Sequence, residues 1–551
     1  MNRKERRSVA KGRVPRQSSV GAVSEQFGFA QRYHQAGQLG EAELLCRQIL
    51  AIDPRHAGSL HLLGGIALQI GRGDAAVDLI GQAIALNRRV PEFHCNLGTT
   101  LRHQGKLGEA AQAYRRALAL KPNYPAALNN LGNVLAEQGK LEEATKAYRR
   151  ALAVKPDYAE AHYNLGHLLS REHWREEAMA CFRRALDLKP NYAEPLNALG
   201  LAHEEQGELE KAKGCYRRAL EIQPDFAEAH FNYGVVLLLQ GELHQGWEEF
   251  EWRWRSKEVR PRYPLHTQWC GGDVNGRTVL LHAEQGLGDS LQFVRYVPLL
   301  ARLGARVLLE VQKPLVPLFS KIDGVSGVFA GGDAVPAFDT HCPLMSLPLA
   351  FATTLDTIPG STPYLRADAE RAAAWRRRVE ALTGLRVGLV WAGNPRPFQP
   401  GAHAIDKRRS ITLGHFEALA GLEGVSFVSL QKGEPSTQTK TPPAGLAIHD
   451  WTDELNDFAD TAALVDALDL VISVDTSVIH LVGGMGKPVW LLNRFDTCWR
   501  WLLGRDDSPW YPTLRQFRQR SAGDWADVLS RVRAELEAMI AAGRSITTSP
   551  V

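Results

Sequence analysis

The chain has 551 residues, a formal net charge of +4 and seven cysteines, none of them in a CxxC pair or another close metal-ligand spacing. This length is too great for one hydrophobic core, and so small a net charge excludes an overall electrostatic footprint for nucleic acid. The odd, scattered cysteines exclude a disulfide scaffold and indicate single buried thiols in a reducing compartment, which predicts a cytoplasmic protein.

The N-terminus, residues 1–22, is predicted to be a solvated, disordered tail because basic residues crowd it. They are Arg3, Lys4, Arg6, Arg7, Lys11, Arg13 and Arg16. No apolar segment follows, so a signal peptide is not expected. No apolar run reaches the ~20 residues of a membrane span, so no transmembrane segment is expected, and only peripheral contact with a membrane stays open.

Residues 23–260 are dominated by a Leu-Gly or Tyr-Gly pair that recurs every 34 residues. It falls at Leu63-Gly64, Leu97-Gly98, Leu131-Gly132, Leu165-Gly166, Leu199-Gly200 and Tyr233-Gly234. A period this strict predicts an α-solenoid of stacked helical hairpins, each too small to bury its own apolar face. Such arrays usually present a surface to another protein or peptide.

Three further positions keep the same register within each unit. They are a small residue (Ala76, Ala110, Ala144, Ala178, Ala212), an aromatic (Tyr114, Tyr148, Phe182, Tyr216) and a closing proline (Pro122, Pro156, Pro190, Pro224). The small residue lets the helices approach, the aromatic fills the gap to the next unit, and the proline ends the second helix. The pattern resembles the tetratricopeptide repeat and predicts about seven units. In the last unit Trp247, Trp252 and Trp254 are expected to cap the solenoid or dock it on the next domain.

Asparagine precedes the Leu/Tyr-Gly pair in four units, at Asn96, Asn130, Asn164 and Asn232. These positions lie on the first helix of each hairpin, which lines the inner face of such solenoids. A carboxamide both donates and accepts hydrogen bonds, so it can pair with a peptide backbone whatever the peptide's side chains. This asparagine ladder resembles that of the protein O-linked N-acetylglucosamine transferases and predicts an acceptor-peptide site. The structural alternative is that each asparagine bridges neighbouring helices.

After a linker at 261–277, the chain alternates strands and helices and is predicted to form two facing Rossmann-like lobes. In the first lobe, 278–366, a strand at Thr278–His282 runs into a glycine-rich turn and a helix over Ser290–Leu303. A strand at Ala305–Val311, a helix at Lys313–Ile322 and a strand-end loop and helix over Asp339–Leu349 follow. Strand, glycine-rich turn, helix is how open α/β sheets place a ligand at the carboxyl ends of their strands.

A connecting helix at 367–384 leads to the second lobe, 385–541, which precedes a tail at 542–551. Predicted strands are Leu385–Trp391, Val425–Leu430, Leu446–Asp450, Leu470–Val474 and Val489–Leu492, and a closing helix covers Asp524–Ala541. Asp475 ends one apolar strand, and Thr476 and Ser477 begin a helix, where free backbone N–H groups and the dipole favour an anion. His480 lies about one turn further along.

Gly288-Asp289 with Leu291 in the first lobe, together with Asp475-Thr476 and His480-Leu481 in the second, resembles the ADP-heptose:lipopolysaccharide heptosyltransferase family over about 276–540. The resemblance implies a GT-B fold and inverting, metal-independent glycosyl transfer. It assigns the general base to Asp289, a donor-phosphate contact to Lys407, and nucleotide-sugar binding to Asp475 and Thr476. Two departures are the short first lobe and the segment from Trp499 to Tyr511.

The chemistry of such a transfer needs a carboxylate for the acceptor proton and cations or N–H groups for the leaving diphosphate. The predicted nucleotide-sugar site comprises Gly393, Asn394, Lys407, Arg409, Asp475, Thr476, Ser477 and His480. The alternatives are a helix N-cap for Asp289, a structural turn for Asp475 and a solvated basic loop around Lys407.

Three functions are compatible with this sequence. The leading hypothesis is a glycosyltransferase that moves a sugar from a nucleotide sugar to a polypeptide acceptor recruited by the repeats, with no cofactor, metal or nucleic-acid partner. The second is an enzyme acting on lipopolysaccharide or another envelope glycan, with the repeats serving for assembly. The third is an interaction scaffold whose lobes have lost catalysis.

Overall fold

The computed structural model describes residues 16–172, 174–256 and 261–542. The fold divides into two compact units after Ala202. In the first unit consecutive helices pack as hairpins, α1 with α2 through α9 with α10. Their bounds are α1 Arg16–Gln35, α2 Leu39–Ile52, α3 Ala57–Gln69, α4 Gly73–Leu86, α5 Pro91–His103, α6 Leu107–Leu120, α7 Pro125–Glu137, α8 Leu141–Val154, α9 Ala159–Arg171 and α10 Arg175–Leu188.

The glycine of the 34-residue repeat is explained by the aromatic that follows it in the same hairpin. A Cβ atom on Gly132 would lie 2.5 Å from the Cε1 atom of Tyr148, and one on Gly98 would lie 2.8 Å from that of Tyr114. Both tyrosines are buried. Glycine therefore allows the first helix to approach the ring of the second, which is the role of small residues at close helix contacts.

Helix α11 (Ala193–Glu205) spans the division between the units. The second unit continues with α12 (Leu209–Ile222), α13 (Ala227–Gln240), α14 (Leu243–Phe250) and a 3-10 helix at Glu251–Arg255. Within this unit Trp247 is 1% exposed, and its ring centroid lies 6.0 Å from that of Phe293 and 5.1 Å from that of Trp499. Trp247 therefore makes the docking contact predicted for this group of tryptophans.

The first lobe has a four-stranded parallel sheet in the order β3-β2-β1-β4. Its elements are β1 Thr278–His282, α15 Leu287–Phe293, α16 Val297–Arg302, β2 Arg306–Val311, α17 Val316–Phe319, β3 Val325–Ala330, β4 Thr340–Pro343 and α18 Leu347–Ala350. The segment 261–277, predicted as a linker, packs against this lobe. Gln268 forms a parallel bridge with His341, and the Tyr263 hydroxyl donates to Glu310 at 2.6 Å.

Helix α19 (Ala369–Val379) connects the lobes. The second lobe has a six-stranded parallel sheet in the order β10-β9-β8-β5-β6-β7. Its elements are β5 Leu385–Val390, α20 Pro400–Arg409, β6 Val425–Ser429, β7 Ile448–Asp450, α21 Phe458–Asp466, β8 Leu470–Val474, α22 Ser477–Gly484, β9 Val489–Asn493, β10 Leu514–Arg518 and α23 Trp525–Ala541. This is the strand order of a doubly wound Rossmann sheet, whose topological switch point lies between β5 and β8.

Three sequence predictions need correction. Helix α1 begins at Arg16, so residues 16–22 are helical rather than part of the tail, and residues 1–15 lie outside the described residues. The helix predicted over Ser290–Leu303 is divided into α15, a 3-10 turn and α16, and the one predicted over Lys313–Ile322 is divided into a 3-10 turn and α17. Pro298 and Pro317 lie at these divisions, and proline has no N–H to continue a helix.

Residues 542–551, predicted as a tail, lie outside the described residues except for Ala542, which caps α23. No helix among the described residues has both the length and the apolar character needed to cross a membrane.

Candidate functional site

Asp289 lies in the first turn of α15, which follows the carboxyl end of β1 after a turn at 283–286. Its Oδ2 atom accepts a hydrogen bond from the backbone N–H of Gly286 at 2.8 Å, so Gly286 is the N-cap residue and Asp289 bonds it from the N3 position. Its Oδ1 atom accepts a hydrogen bond from Arg500, which belongs to the second lobe. The carboxylate therefore has a structural partner on one oxygen and a charged partner from the facing lobe on the other.

Arg500 joins the two lobes through its contact with Asp289, and its side chain is 13% exposed. Its Nε atom donates to Gln292 Oε1 at 2.8 Å, and its guanidinium lies 4.2 Å from the ring centroid of Trp499. Burial disfavours the charge of Arg500, but Asp289, Cys498 and Asp475 more than offset this effect, so the pKa of Arg500 is raised. The guanidinium is charged at every physiological pH.

The N-terminus of α22 lies on the other side of this contact. Thr476 is the N-cap residue, but its side chain does not accept a hydrogen bond from the helix, and it lies instead 3.1 Å from the Ser473 hydroxyl. Asp475, Thr476 and Ser477 are half-buried at the carboxyl end of β8. A Cβ atom on Gly288 would lie 3.6 Å from the Cα atom of Ser477. The starts of α15 and α22 therefore meet.

His480 packs between the lobes. It is 4% exposed, its Nδ1 atom is hydrogen-bonded to the Tyr511 hydroxyl at 2.8 Å, and its ring stacks on Trp501 with centroids 5.4 Å apart. Burial, followed by the charges of Arg500, Arg295 and Arg409, lowers the pKa of His480 well below its usual value. His480 is therefore neutral near pH 7 and cannot supply positive charge to a phosphate.

The remaining residues predicted to bind the nucleotide sugar follow β5. The backbone N–H of Gly393 donates to the Ser410 hydroxyl at 2.9 Å, and a Cβ atom at Gly393 would collide with Asp406 and Arg409. Arg409 pairs with the buried Asp406 through its Nη2 atom at 2.9 Å. Asn394 accepts a hydrogen bond from the backbone of Arg396 at 3.4 Å.

The structure brings part of the predicted site together. Asp289 contacts Arg500. The negative charge of Asp475 contributes to the raised pKa of Arg500. The positive charge of Arg409 contributes to the lowered pKa of His480. Lys407 is exposed, and the described contacts place neither it nor Asn394 against these groups.

Sequence reasoning missed Arg500. A cation between two tryptophans, Trp499 and Trp501, was the signal available. Within the described ranges, no group of three or more His, Cys, Asp or Glu side chains is arranged to hold a metal ion.

Arg295 holds this part of the second unit together. It is 3% exposed and donates to the carbonyl oxygens of Gln292 and Trp510, both at 2.8 Å, and to the Tyr364 hydroxyl at 3.0 Å. These bonds tie the helix after Asp289 to the segment that carries Arg500. The backbone segments that carry Asp289 and Arg500 are therefore held together by buried contacts from both lobes.

In the first unit, the asparagine ladder makes contacts between repeats. Asn96 Nδ2 donates to His61 Nε2 at 2.8 Å, and Asn164 Nδ2 donates to Asn129 Oδ1 at 2.9 Å. Asn130 accepts from Asn129 at 3.4 Å. Asn96, Asn130 and Asn164 are half-buried, as is Asn232 in the second unit. The helix-bridging alternative is thus realised at two positions, and part of each side chain stays open to solvent.

Comparison with family models confirms the repeats. A model described as TPR repeat matches residues 99–139, 132–171, 176–207 and 205–241, and one described as tetratricopeptide repeat matches residues 33–95. The segment from residue 33 to residue 241 therefore carries tetratricopeptide repeats.

Among curated proteins, Protein FlbA of Caulobacter vibrioides (strain ATCC 19089 / CIP 103742 / CB 15) is 28% identical over 318 residues, covering 53% of this chain and 52% of FlbA. The chain spans about half the length of this relative.

Solved structures are also similar to part of this chain. The TPR protein TTC0263 of Thermus thermophilus is 28% identical and covers 33% of this chain and 99% of its own, with a TM-score of 0.30. PilF of Pseudomonas aeruginosa is 20% identical and covers 38% of this chain and 96% of its own, with a TM-score of 0.36.

Proposed function

We propose that this protein is an inverting glycosyltransferase of GT-B type that transfers a sugar from a nucleotide sugar to a polypeptide recruited by its repeats. The observation that carries the proposal is the meeting of Asp289, Arg500 and the N-terminus of α22 at the carboxyl ends of two parallel sheets. It brings a carboxylate, a permanent cation and free helix N–H groups together in an open α/β arrangement, where ligands bind.

In the proposed reaction, Asp289 accepts the proton of the acceptor hydroxyl as that oxygen attacks the anomeric carbon of the sugar. The bond between this carbon and the donor phosphate breaks on the opposite face, which inverts the configuration. The leaving nucleoside diphosphate carries the negative charge away from the sugar. Arg500, Arg409 and the N–H groups of α22 are the groups assigned to stabilise it.

The acceptor role rests on the repeats. Solenoids of this kind build extended concave surfaces, and the confirmed repeats support a role in protein interaction. Half-buried carboxamides along one register are suited to hold an extended backbone because they read no particular side chain. We assign this role to Asn96, Asn130, Asn164 and Asn232.

The proposal is tested by incubating the full chain with a panel of nucleotide sugars and measuring release of nucleoside diphosphate. Asp289→Asn removes the base, so the rate with the active donor is expected to fall about 10²–10⁴-fold while nucleotide binding persists. Asp323→Asn is the matched control, because its side chain is 77% exposed in the same lobe and should leave the rate unchanged. No binding and no turnover with any donor would refute the proposal.

The bonds from Asn96 to His61 and from Asn164 to Asn129 favour a second candidate, an envelope-glycan glycosyltransferase whose repeats serve assembly. A variant with Asn96→Ala, Asn130→Ala and Asn164→Ala separates the two. If the ladder binds peptide, acceptor affinity falls about 10-fold or more, since each lost hydrogen bond contributes about 0.5–1.5 kcal/mol.

The matched control for the ladder is His61→Ala with Asn129→Ala. It removes the same two inter-repeat bonds and keeps Asn96, Asn130 and Asn164, so it should lower stability without lowering acceptor affinity. Equal transfer to a protein acceptor by the ladder variant would favour the envelope-glycan function. Full biological activity of Asp289→Asn would favour a scaffold.

A further inference from the structure

The proposed base, Asp289, is fully engaged in this structure. One carboxylate oxygen accepts from the Gly286 N–H at 2.8 Å, and the other accepts from the Arg500 guanidinium. Its side chain is 16% exposed, so little water competes for the pair. A carboxylate held in a charge-assisted hydrogen bond is a poor acceptor for the proton of an incoming hydroxyl. The base therefore has to be released before it can act.

Arg500 is placed to give up this contact. Besides Asp289 it bonds the uncharged amide of Gln292 and the sulfur of Cys498, and the charge of Asp475 in the second lobe also acts on it. Its planar guanidinium matches phosphate oxygens as well as it matches a carboxylate. A diphosphate carries more negative charge than one carboxylate, so it competes effectively for the same cation.

The backbone beside Arg500 supports a functional role. Leu502 has a φ of 50°, a conformation that costs a side-chain-bearing residue free energy and occurs at functional loops. The loop is held in this shape by polar side chains of β10. Gln516 donates to the carbonyl oxygen of Trp501 at 2.9 Å, and Arg518 donates to that of Leu502 at 2.5 Å. The strained turn presents the Arg500 side chain to the first lobe.

We infer that Arg500 is shared between Asp289 and the donor diphosphate, so that donor binding draws the guanidinium away and frees the carboxylate for the acceptor. The inference rests on the proposed function and adds a masked base and an order of binding, donor before acceptor. Arg500 is then a substrate-binding residue, and in the absence of the donor it contacts the base, Asp289. The N-terminus of α22 and Arg409 bring the diphosphate to it.

If Arg500 is shared in this way, a substitution of Asp289 should change the affinity for a nucleoside diphosphate. In Asp289→Asn the competing negative charge is gone, so Arg500 is free for the ligand, and a nucleoside diphosphate should bind about 10-fold tighter than to the unchanged protein. A substitution that slows transfer is thus expected to improve binding of the leaving group. In Arg500→Gln the same nucleoside diphosphate should bind about 10-fold weaker or worse, whereas the free nucleoside, which has no phosphate, should bind as before.

Isothermal titration of the full chain with ADP, UDP, GDP and CDP, and with the corresponding nucleosides, measures these effects. The variants are Asp289→Asn, Arg500→Gln, their combination and Arg500→Lys, which keeps the charge without the planar fork. In the combined variant the gain from Asp289→Asn should vanish. Arg520→Gln is the control, since that side chain is 74% exposed in the same lobe.

Each outcome is decisive. If Asp289→Asn binds the diphosphate no tighter, or if its gain persists without Arg500, the cation is not shared and the inference fails, although the proposed transfer survives if turnover is seen. If Arg500→Gln binds normally, Arg500 only packs the lobes. If the unchanged protein binds no diphosphate, the proposed function itself fails together with the inference.

Discussion

Between the lobes, the neighbouring charges and the burial of a side chain decide whether it is charged or neutral. Arg500 keeps its charge because Asp289 lies beside it, whereas His480 loses its charge because burial and three arginines oppose it. Sequence alone suggested His480 as a donor ligand. Its actual partners are Tyr511 and Trp501, to which it is bound as a neutral ring.

Arg500 is also the residue that sequence could least reveal. It stands 211 positions after Asp289, and tertiary contacts, among them those of Arg295 with Tyr364 and Trp510, bring the two residues together. Asp289 could be predicted because a local pattern carries it, namely a strand followed by a glycine-rich turn and a helix.

Because the protein buries neutral histidines, we expect its folding stability to fall in mild acid. His282 is 1% exposed and hydrogen-bonded to His341, and burial first, then the neighbouring His341, lowers its pKa to about 3. The unfolded chain takes up this proton below about pH 6.5, so stability falls as pH drops from about 6.5 towards 3, by up to about 1.4 kcal/mol per pH unit.

Calorimetry at pH 7, 6 and 5 checks this. The melting midpoint of the second unit should fall over this range, and His282→Leu should reduce the fall. His244→Leu, at a side chain that is 68% exposed, should leave it unchanged. An equal fall in the protein and in His282→Leu would contradict the assignment.

Helices and strands follow the apolar pattern wherever it is strong. The sequence predicts β1, β8 and α23 to within a residue, because buried runs and an N-cap such as Asp524 are local signals. Strands β3 and β10 were missed. In β3 five of the six residues are half-buried and the other one is exposed, so this strand lacks a buried apolar run. Strand β10 contains charged residues, which interrupt its apolar pattern.

The glycine of the repeat gives a prediction at the scale of the hairpin. In Gly132→Ala the new methyl group would lie 2.5 Å from Tyr148, which is 2% exposed, so the hairpin must open or the ring must move. We expect a loss of about 1–3 kcal/mol, measured as a lower melting midpoint of the first unit. Gly108→Ala, with no atom within 4 Å of the new group, should not destabilise it.

The contact between α15 and α22 gives a second prediction at this scale. A Cβ atom on Gly288 would lie 2.8 Å from the Cδ2 atom of His480, so Gly288→Ala separates the two helix starts. Turnover should fall at least 10-fold even where the protein stays folded, because small displacements of reacting groups are costly. Gly214→Ala, in α12 and with open space around it, is the control; equal losses in both would contradict this account.

At the scale of the molecule, the last repeats and the two lobes share one core. Trp247, Phe293 and Trp499 belong to a single buried cluster, so α13 and α14 should unfold with the lobes rather than with the repeats before them. Trp247→Ala should cost about 3–5 kcal/mol.

Hydrogen exchange should accordingly become faster in both α14 and α15 and stay unchanged in α3 to α8. Trp174→Ala, at a residue that is 58% exposed, is the control. Faster exchange confined to α14 would show that this hairpin is independent of the lobes.

We propose that the lobes place a sugar on a polypeptide that the repeats hold. Proteins that co-purify with the full chain, incubated with the nucleotide sugar that it turns over, can be examined by intact-protein mass spectrometry. We expect a mass increase of one sugar residue on an acceptor, absent with Asp289→Asn and strongly reduced with the Asn96, Asn130 and Asn164 variant. Turnover without any modified polypeptide, or equal modification by Asp289→Asn, would contradict it.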